Sequence, residues 1–460
     1  MSKTIMSSNK VGFWASEKKC LKINVSELDK NFAAKGFELV KMNLNEPIET
    51  QGPFAAIIHK LADVMVRAQQ DDPLARKQIQ LFEDYINNHP EVVILDPLDN
   101  VRKLLDRYRQ YKLIDDSELA REDGVFTPTF VELTSNDVNE NLNKLKAAVV
   151  SFPFVCKPLV AHGSTYAHQM SIIFGKSGLK TISPHCVAQS FINHNARLFK
   201  LFLIKDKYYV IERPSLKNFK RGDTDCETVF FDSHDISKPD SCCALTELDP
   251  TDQSCQPIRD PEMERLDRIV KVVSQKVGLT LLGIDVIIDN MTGRYAIIDM
   301  NAFPGYDGVD CFLQTLCDIT VEEIEKKRQS LGLTNIINEL SARNERNDYL
   351  ETQTKTQCLS LQSNSDKDCN NTQLKSPMID NKSIDERISL VKTSSVEKND
   401  KTVITKTAQN GNDFDSGIDT SDSCDEKKYK KQSQVKVVRR QHSRSLTNSS
   451  NVRIDEINSI

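Results

Sequence analysis

The segment GIDVIIDNMTGRYAIIDMNAFPGY, residues 283–306, contains two apolar runs that each carry one aspartate, Asp285 and Asp299. Between the runs, the residues DNMTGR are typical of a turn, so the segment predicts an antiparallel hairpin. Folding about this turn places Asp285 opposite either Ile298 or Asp299, depending on whether the second strand contains a bulge. The sequence therefore predicts two acidic side chains inside strands that otherwise have the composition of a buried core.

Two carboxylates that face each other across paired strands repel, and burying them without a counter-charge is costly. A divalent cation removes this repulsion. Asn301 lies two residues after Asp299, so both side chains share one face, and Asp285, Asp299 and Asn301 offer three oxygen ligands that suit Mg²⁺ better than zinc. The alternative is that Asp285 caps a turn and Asp299 pairs with a buried arginine or lysine. The residue types alone leave both interpretations open, and Asp289 is expected to be a turn residue only.

The bulk composition excludes some classes of function. The chain has 460 residues, a formal net charge of -5 and a pI near 6.0, which does not indicate a protein that binds nucleic acid or anionic membrane. No run approaches the roughly 20 apolar residues that span a bilayer, and the N-terminus lacks the apolar core of a secretory signal. The 12 cysteines are scattered without a C-x-x-C pair, which is typical of free thiols. These features predict a cytoplasmic protein, with the nucleus as the alternative.

The composition changes near residue 345. Beyond it Ser, Asn, Asp, Lys and Thr dominate, and such a segment cannot bury enough apolar surface to offset its ordering entropy, so disorder is predicted. Before it, short apolar strands alternate with helical patterns, which predicts an N-terminal parallel α/β domain. Residues 96–114, DPLDNVRKLLDRYRQYKLI, are expected to form one helix, and the last helix is expected to begin near Val321.

Several strings carry a resemblance to a known family. The motif D-x-N-x-x-P-G at a strand end, with an upstream aspartate in the paired strand, looks like the metal-binding end of ATP-grasp enzymes. In order and spacing the chain resembles the inositol-tetrakisphosphate 1-kinases, also called inositol-1,3,4-trisphosphate 5/6-kinases, through VAHGS, QSFINHNARLFK, RPSLKNF, LGIDVIID and IDMNAFPGY. The resemblance runs from about Val11 to Leu333.

The resemblance implies an α/β protein with the ATP-grasp fold, preceded by an N-terminal parallel α/β domain and followed by a disordered C-terminal tail. Four segments are implied: an N-terminal α/β domain, a central ATP-grasp lobe, a C-terminal ATP-grasp lobe with the metal site, and the tail. Their expected bounds are 10–116, 117–192, 193–345 and 346–460.

The activity that the resemblance implies is transfer of the ATP γ-phosphoryl group to an inositol polyphosphate. The expected acceptors are the 1-hydroxyl of inositol 3,4,5,6-tetrakisphosphate and the 5- or 6-hydroxyl of inositol 1,3,4-trisphosphate, with phosphate transfer between inositol phosphates as a further activity. The implied cofactor is a pair of Mg²⁺ ions, one on Asp285 and Asp299 and the other on Asp299 and Asn301. Two alternatives are an ATP-grasp carboxylate–amine ligase and a non-catalytic ATP-binding scaffold.

The resemblance also implies which residues contact ATP. Arg107 is expected on the nucleotide, with Arg109 as the neighbour that could be mistaken for it, and the stretch from Gln189 is expected to form the adenine hinge. The implied ATP-binding residues are Arg107, Lys157, Gln189, Ser190, Phe191, Ile192, Lys200, Ser215, Ser233 and Ser237. A lysine at a strand end or a serine in a loop is, on its own, more often an ordinary surface or turn residue.

The acceptor is expected to meet a set of cations and polar groups. The implied substrate-binding residues are Lys18, His168, Lys200, Arg213, Asn301 and Gly305, with His162 as an additional phosphate contact. Lys200, His168 and Asp299 are the expected catalytic residues. The loop between Gly163 and His168 is one residue longer than the family pattern, which puts the reach of His168 in question.

The tail contains two further motifs. DFDSGIDTSDSCDEK, residues 413–427, resembles a phosphorylation-dependent degradation signal, and the basic stretch from residue 427 places two arginines before Ser443 as a basophilic kinase prefers. These motifs predict contacts with a protein kinase or with the degradation machinery, against the alternative of a solvated linker. No heptad run stands out, so a monomer is expected.

Overall fold

The computed structural model describes residues 8–163, 165–220, 222, 226–255 and 259–332, which fall within one compact unit. Its first sheet has four parallel strands in the order β2-β1-β3-β4, which confirms the predicted parallel α/β domain. These strands are β1 (Lys10–Trp14), β2 (Glu38–Lys41), β3 (Ala56–His59) and β4 (Val93–Leu95). The predicted disordered tail lies outside the described residues.

The helices around this sheet include a break that the sequence did not predict. They are α1 (Glu17–Cys20), α2 (Val25–Ala33), α3 (Ala62–Gln69), α4 (Pro73–Asn88), α5 (Leu98–Arg102) and α6 (Arg107–Asp115). The single helix expected over residues 96–114 is therefore wrong. Asp106 starts a new helix because its carboxylate accepts a hydrogen bond of 2.8 Å from the Arg109 backbone N–H. This cap puts Arg107 in the first turn of α6.

The second sheet has five antiparallel strands in the order β12-β8-β7-β9-β6. Its strands are β6 (Phe130–Leu133), β7 (Phe154–Pro158), β8 (Gln169–Ile173), β9 (Cys186–Ser190) and β12 (Val229–Asp232), with helices α7 (Val138–Ala147) and α8 (Ser233–Ile236). β7 pairs antiparallel with β8, so these two strands form a hairpin around the loop that contains Gly163.

The third sheet contains the hairpin predicted from residues 283–306, and its order is β11-β10-β13-β14-β5. Its strands are β5 (Val125–Phe126), β10 (Arg197–Ile204), β11 (Lys207–Pro214), β13 (Leu281–Ile288) and β14 (Tyr295–Ala302). The later helices are α9 (Pro250–Cys255), α10 (Met263–Val277) and α11 (Phe312–Ser330). The expected start of the last helix near Val321 is wrong, because Phe312 and Leu316 already bury its first turns in the core.

Two short strands cross the domain boundaries expected from the sequence. β5 follows residue 117 but pairs with β14 in the third sheet, and β12 lies beyond residue 193 but pairs with β8 in the second. The boundaries stay predictions, and the two lobes are interleaved along the chain.

The end of β4 is joined to the start of β13 by one buried carboxylate. Asp96 accepts hydrogen bonds from the backbone N–H groups of Thr280 at 2.8 Å and Leu281 at 2.9 Å. Its own carbonyl accepts a hydrogen bond of 2.7 Å from His59 Nε2, at the end of β3. The parallel sheet and the acidic hairpin therefore meet at a fixed point.

Two further observations concern the class of protein. Within the described ranges, no helix has the length and apolar character needed to cross a membrane. The cysteines that the structure describes there are free thiols, which confirms the prediction for them.

We expect Asp96→Ala to destabilise the fold by about 3 kcal/mol, because two buried N–H groups lose their acceptor. Urea unfolding followed by circular dichroism measures this loss. Asp99→Ala is the control, since Asp99 is 90 % exposed on the next helix. A surface change of that kind should stay within about 0.5 kcal/mol of wild type. Equal stabilities for both variants would contradict the joining role of Asp96.

Candidate active site

The hairpin of β13 and β14 contains the bulge on which the position of the acids depends. Asp285 is opposite Asp299, whereas the next pair along is Val286 with Ile297, so Ile298 is the extra residue. Without the bulge, Asp285 would face Ile298. The structure therefore places the two carboxylates directly across from each other.

A lysine extends this pair into a row across three strands. Lys200 on β10 is in register with Asp285 on β13, which is in register with Asp299 on β14. The Lys200 ammonium lies 2.7 Å from Asp285 Oδ2. One ammonium group and two carboxylates therefore lie side by side, in that order, on a single face of the sheet.

Arg107, at the start of α6, approaches the row from the other side. Its guanidinium is 1 % exposed, lies 3.5 Å from Asp299 Oδ1 and donates a hydrogen bond of 2.9 Å to the Ala167 carbonyl. Arg109, the neighbour that the sequence could not separate from it, is exposed. Asn301 Nδ2 lies 3.4 Å from Asp299 Oδ2 on the same face.

The electrostatics of the two acids differ. Burial raises the pKa of the Asp285 carboxyl, and the facing Asp299 raises it further against the opposing effect of Lys200. Burial acts in the same direction on Asp299, but Arg107, Lys157 and Lys200 together hold the pKa of that carboxyl below its usual value. The pKa values of the two carboxyls are therefore shifted in opposite directions, with the ionised form favoured at Asp299.

These residues fit a divalent cation with oxygen ligands. Two opposed carboxylates and a neighbouring amide oxygen form the donor set. The described ranges contain no group of three or more His, Cys, Asp or Glu side chains that could hold a metal, and the set here has two carboxylates and one amide. Asp285, Asp299 and Asn301 could hold Mg²⁺ in this arrangement, and the metal site stays a prediction. The structure also agrees with the alternative interpretation of Asp299, because this acid lies next to a buried arginine, Arg107.

Lys157 lies at the end of β7 in a pocket of acceptors. Its ammonium, 6 % exposed as a residue, donates to Tyr111 Oη at 2.9 Å, Gln189 Oε1 at 2.8 Å and the Ile298 carbonyl at 2.9 Å. Burial lowers the pKa of Lys157 to about 8, although the charge on Asp299 opposes this shift. The lysine is held beside the acidic pair and is not an ordinary surface lysine.

The expected adenine hinge follows β9. Gln189 and Phe191 are buried, and Ser190 Oγ lies 2.6 Å from Thr129 Oγ1. Next to Ile192, the face that carries the acidic row becomes apolar. This apolar patch was not identified from the sequence, because its members come from four segments: Phe126, Ile192, Leu198, Ile287, Ala296 and Ile298.

Three buried polar atoms around the site have no hydrogen-bond partner among the described residues. They are Arg107 Nε, Gln189 Nε2 and His162 Nε2. Buried polar atoms normally have a hydrogen-bond partner, so three unpartnered atoms in one region indicate space for a polar ligand. The atoms surround the row formed by Lys200, Asp285 and Asp299.

The predicted serines occupy different environments. Ser215 is buried and its Oγ lies 2.7 Å from His194 Nε2. Ser233 Oγ lies 3.4 Å from His168 Nδ1, and Ser237 caps the end of α8. Despite the longer loop, His168 stays next to the site, because the turn that ends at this residue also supplies the Ala167 carbonyl to Arg107.

An ion pair at the edge of the parallel sheet lies next to the loop that contains Gly163. Asp63 on α3 lies 2.5 Å from the Lys19 ammonium and accepts a hydrogen bond of 3.2 Å from the Gly163 N–H. Lys18, the predicted substrate-binding residue, is exposed on α1, whereas the neighbouring Lys19 pairs with Asp63. Burial lowers the pKa of His162 in this region to about 4, against the opposing charge of Asp63.

Lys60 is a candidate that the sequence analysis missed. Its ammonium donates a hydrogen bond of 3.1 Å to the Pro304 carbonyl and lies 4.3 Å from the centre of the Phe303 ring. Burial, reinforced by Lys19, lowers the pKa of Lys60 to about 7. Its position directly after β3 was the available clue, because the carboxyl ends of parallel strands commonly line binding sites.

The turn that follows the metal residues is held in a fixed shape. Phe303 and Tyr306 adopt left-handed backbone conformations, with φ of 45° and 57°. Tyr306 Oη donates a hydrogen bond of 2.6 Å to the Leu203 carbonyl, and Gly305 between them is exposed. Arg213 is buried and donates a hydrogen bond of 2.7 Å to the Asp307 carbonyl. The predicted residues Arg213 and Gly305 are therefore close to the same turn.

The sequence of the chain matches the models of two domains of one protein family. Residues 10–101 match the inositol 1,3,4-trisphosphate 5/6-kinase pre-ATP-grasp domain, and residues 119–322 match the inositol 1,3,4-trisphosphate 5/6-kinase ATP-grasp domain. The chain is similar to the inositol-tetrakisphosphate 1-kinase of Xenopus laevis, with 43% identity over 334 residues, 72% of this chain and 83% of the relative.

The corresponding kinase of Danio rerio is 45% identical over 315 residues, 68% of this chain and 78% of the relative. Inositol-tetrakisphosphate 1-kinase 3 of Glycine max is 28% identical over 297 residues, 64% of this chain and 79% of the relative. Since both domains match in the right order, the chain belongs to the inositol 1,3,4-trisphosphate 5/6-kinase family and contains its ATP-grasp domain.

Proposed function

We propose that the chain is an inositol polyphosphate kinase that phosphorylates the 1-hydroxyl of inositol 3,4,5,6-tetrakisphosphate and the 5- or 6-hydroxyl of inositol 1,3,4-trisphosphate. The observation that carries this proposal is the row of Lys200, Asp285 and Asp299, which combines acidic metal ligands with a cation. The 43% and 45% identities to inositol-tetrakisphosphate 1-kinases support this choice of acceptor.

The surroundings of the row favour a kinase over the alternatives. A carboxylate–amine ligase needs the ATP and metal residues but no ring of cations for its acceptor. Here Lys60 lies beside the turn after β14, and Lys19 and His162 lie near Asp63 and the Gly163 loop, so further basic groups are available for a polyphosphate. A non-catalytic scaffold is disfavoured because Asp285, Asp299 and Asn301 are all present on one face.

ATP-grasp kinases use ATP with Mg²⁺, and we propose two ions in this chain. Asp285 and Asp299 would hold the first, and Asp299 with Asn301 the second. Bound Mg²⁺ would neutralise the negative charge on the transferred phosphoryl group. Lys200 now neutralises Asp285 at 2.7 Å, and on arrival of the ion it would be free to turn toward the substrate phosphates.

On the nucleotide side, Lys157 and Arg107 supply fixed positive charge for the ATP phosphates. Lys157 is oriented by Tyr111 and Gln189, so little conformational entropy remains to be lost on binding. The hinge from Gln189 to Ile192 would present its backbone to the adenine edge, and the apolar patch beside Ile192 would contact the ring face. Ser215, Ser233 and Ser237 complete the proposed nucleotide contacts.

On the acceptor side, the proposed contacts are Lys18, His168, Lys200, Arg213, Asn301 and Gly305, with Lys60 and His162 added from the structure. Transfer of a phosphoryl group asks mainly for positioning and for neutralisation of charge. Lys200, His168 and Asp299 are therefore the proposed catalytic residues: the two cation-forming side chains hold the acceptor, and Asp299 holds the metal. Phosphate transfer between inositol phosphates is a further activity of the same site.

We also propose a cellular location, an oligomeric state and binding partners for the enzyme. We place it in the cytoplasm, with the nucleus as the alternative, as a monomer without nucleic-acid or membrane partners. The net charge of -5 and the free cysteines of the described residues support this setting. Contacts of the tail with a kinase or with the degradation machinery are proposed from its sequence alone.

The kinase activity is tested with γ-labelled ATP, Mg²⁺ and a panel of inositol tris- and tetrakisphosphates. We expect label on inositol 3,4,5,6-tetrakisphosphate and on inositol 1,3,4-trisphosphate, with the position assigned by chromatography. A parallel reaction with carboxylate and amine substrates tests ligase activity. Absence of label from every inositol phosphate would overturn the proposed function.

We expect Asp299→Asn to lower kcat at least about a hundredfold, because the site loses the one carboxylate shared by both ions. Steady-state assays over a range of Mg²⁺ concentrations measure the loss, and extra Mg²⁺ should restore little of it. Asp289→Asn is the matched control. Asp289 accepts hydrogen bonds from the Met291 N–H and the Thr292 hydroxyl within the turn. Wild-type rates in Asp299→Asn would remove Asp299 from the metal site.

The pKa of Lys60 gives a pH-dependent prediction. In the free enzyme, Lys60 loses its proton as the pH rises through about 7, so the KM for the inositol phosphate should rise between pH 7 and 8.5. Lys60→Arg stays charged and should flatten this rise, by up to about tenfold at pH 8. Substrate ionisation is common to both proteins and cancels in the comparison.

The control for that experiment is Lys77→Arg, because Lys77 is an exposed lysine on α4. Identical pH profiles for wild type and Lys60→Arg would show that Lys60 does not contact the acceptor.

A further inference from the structure

His234 stacks on His168 at one end of the second sheet. β12 pairs antiparallel with β8 so that Asp232 is opposite Gln169. His168, just before β8, and His234, just after β12, therefore emerge at the same sheet end. Their ring centres are 3.7 Å apart with an interplanar angle of 41°. The sequence singled out His168 but gave no role to His234.

The two histidines have different charged neighbours, which orders them along the cleft. His168 is acted on by Arg107 and Asp299, from the side of the acidic row. His234 is acted on by Lys22 from the N-terminal domain and by Lys200 from β10. Asp232 acts on both rings, and Lys238 acts on His234. The acidic row thus acts on the pair through His168, and Lys22 of the N-terminal domain acts on it through His234.

We propose that His234 binds a phosphate group of the inositol polyphosphate that is not transferred, on the Lys22 side of the cleft. This inference rests on the proposed kinase function. Three segments that are distant in the sequence bring basic side chains near this point: His234 contacts His168, and Lys22 and Lys200 both act on the charge of His234. A polyanion is the ligand that such a convergence suits.

The packing of the protein does not require the His234 ring. Its side chain is 63 % exposed. The cap of α8 uses the backbone N–H of His234, which donates a hydrogen bond of 2.8 Å to Asp232, and this bond survives any substitution of the side chain. The ring is therefore available for a ligand.

The chemistry of the pair predicts proton uptake on binding. In the free protein burial lowers the pKa of both imidazoles, to about 4 for His168, and the cations around them act in the same direction. A phosphate between the rings and the lysines reverses the sign of the local field, so the imidazolium form becomes favoured. Affinity for the inositol phosphate should then fall as the pH rises past the pKa in the bound state.

The test compares His234→Phe, which keeps an aromatic ring over His168, with wild type at pH 6.5 and pH 8.5. We expect KM for inositol 3,4,5,6-tetrakisphosphate to rise about tenfold at pH 6.5, the effect of losing one charge-assisted hydrogen bond. At pH 8.5 the difference should shrink to less than about twofold, because the wild-type imidazole is then neutral. KM for ATP should not change at either pH.

Two further variants make the experiment specific. His185→Phe is the matched control, since His185 belongs to the same lobe and its side chain is 64 % exposed, near Glu132. His234→Gln keeps a hydrogen-bond donor without a charge, so its KM should exceed that of wild type at pH 6.5 and approach it at pH 8.5, where the wild-type imidazole is also neutral. Thermal melting and the unchanged KM for ATP establish that each variant is folded.

The outcomes separate this inference from the function on which it rests. If wild type transfers phosphate but His234→Phe has an unchanged KM at pH 6.5, the role of His234 is overturned alone. A rise of equal size at pH 6.5 and 8.5 overturns it too, because only packing would have changed. A wild-type enzyme without any transfer overturns the kinase function and this inference together.

Discussion

The opposition of Asp285 and Asp299 across β13 and β14 is the constraint around which the rest of the site is arranged. It exists because Ile298 is bulged out of the ladder, which brings Asp299 into register with Asp285. Two buried carboxylates at this spacing are unfavourable without compensation. Lys200 and Arg107 supply that compensation at 2.7 Å and 3.5 Å in the ligand-free protein. The acids and their cations are thus maintained as one electrostatic unit.

This unit also explains why the three sheets meet where they do. Lys200 and the acids come from the third sheet, Lys157 from the second, and Lys60 from the carboxyl edge of the parallel sheet. Each of these lysines carries a charge whose burial is unfavourable without a partner. Each one donates hydrogen bonds to backbone or side-chain acceptors of another element. Asp96, which joins β4 to β13, keeps the parallel sheet and the acidic hairpin in contact.

Much of the site was predictable from the sequence, because its local motifs are short and contiguous. The turn DNMTGR and the alternation of the flanking runs predicted the hairpin, and the two-residue spacing of Asp299 and Asn301 placed them on one face. The break before Arg107 was missed, because the apolar spacing continues through it and only the Asp106 cap interrupts the helix. Lys60 and His234 were missed for a different reason: no local motif marks His234, and the clue to Lys60 was only its position directly after β3.

By itself, the sequence determined the hairpin, the identity of its acidic ligands, the parallel order of the first domain and, through its strings, the family. Those features depend on residue types within a few positions of one another, where side-chain direction follows from the strand or helix period. The tertiary structure decided whether Asp285 faced Asp299 or Ile298, since a bulge is a property of two paired strands. It also decided that Arg107 and not Arg109 approaches the acids, and that Lys200 pairs with Asp285. Such choices are set by long-range packing, because electrostatic interactions depend on distance in space and not on separation in the chain.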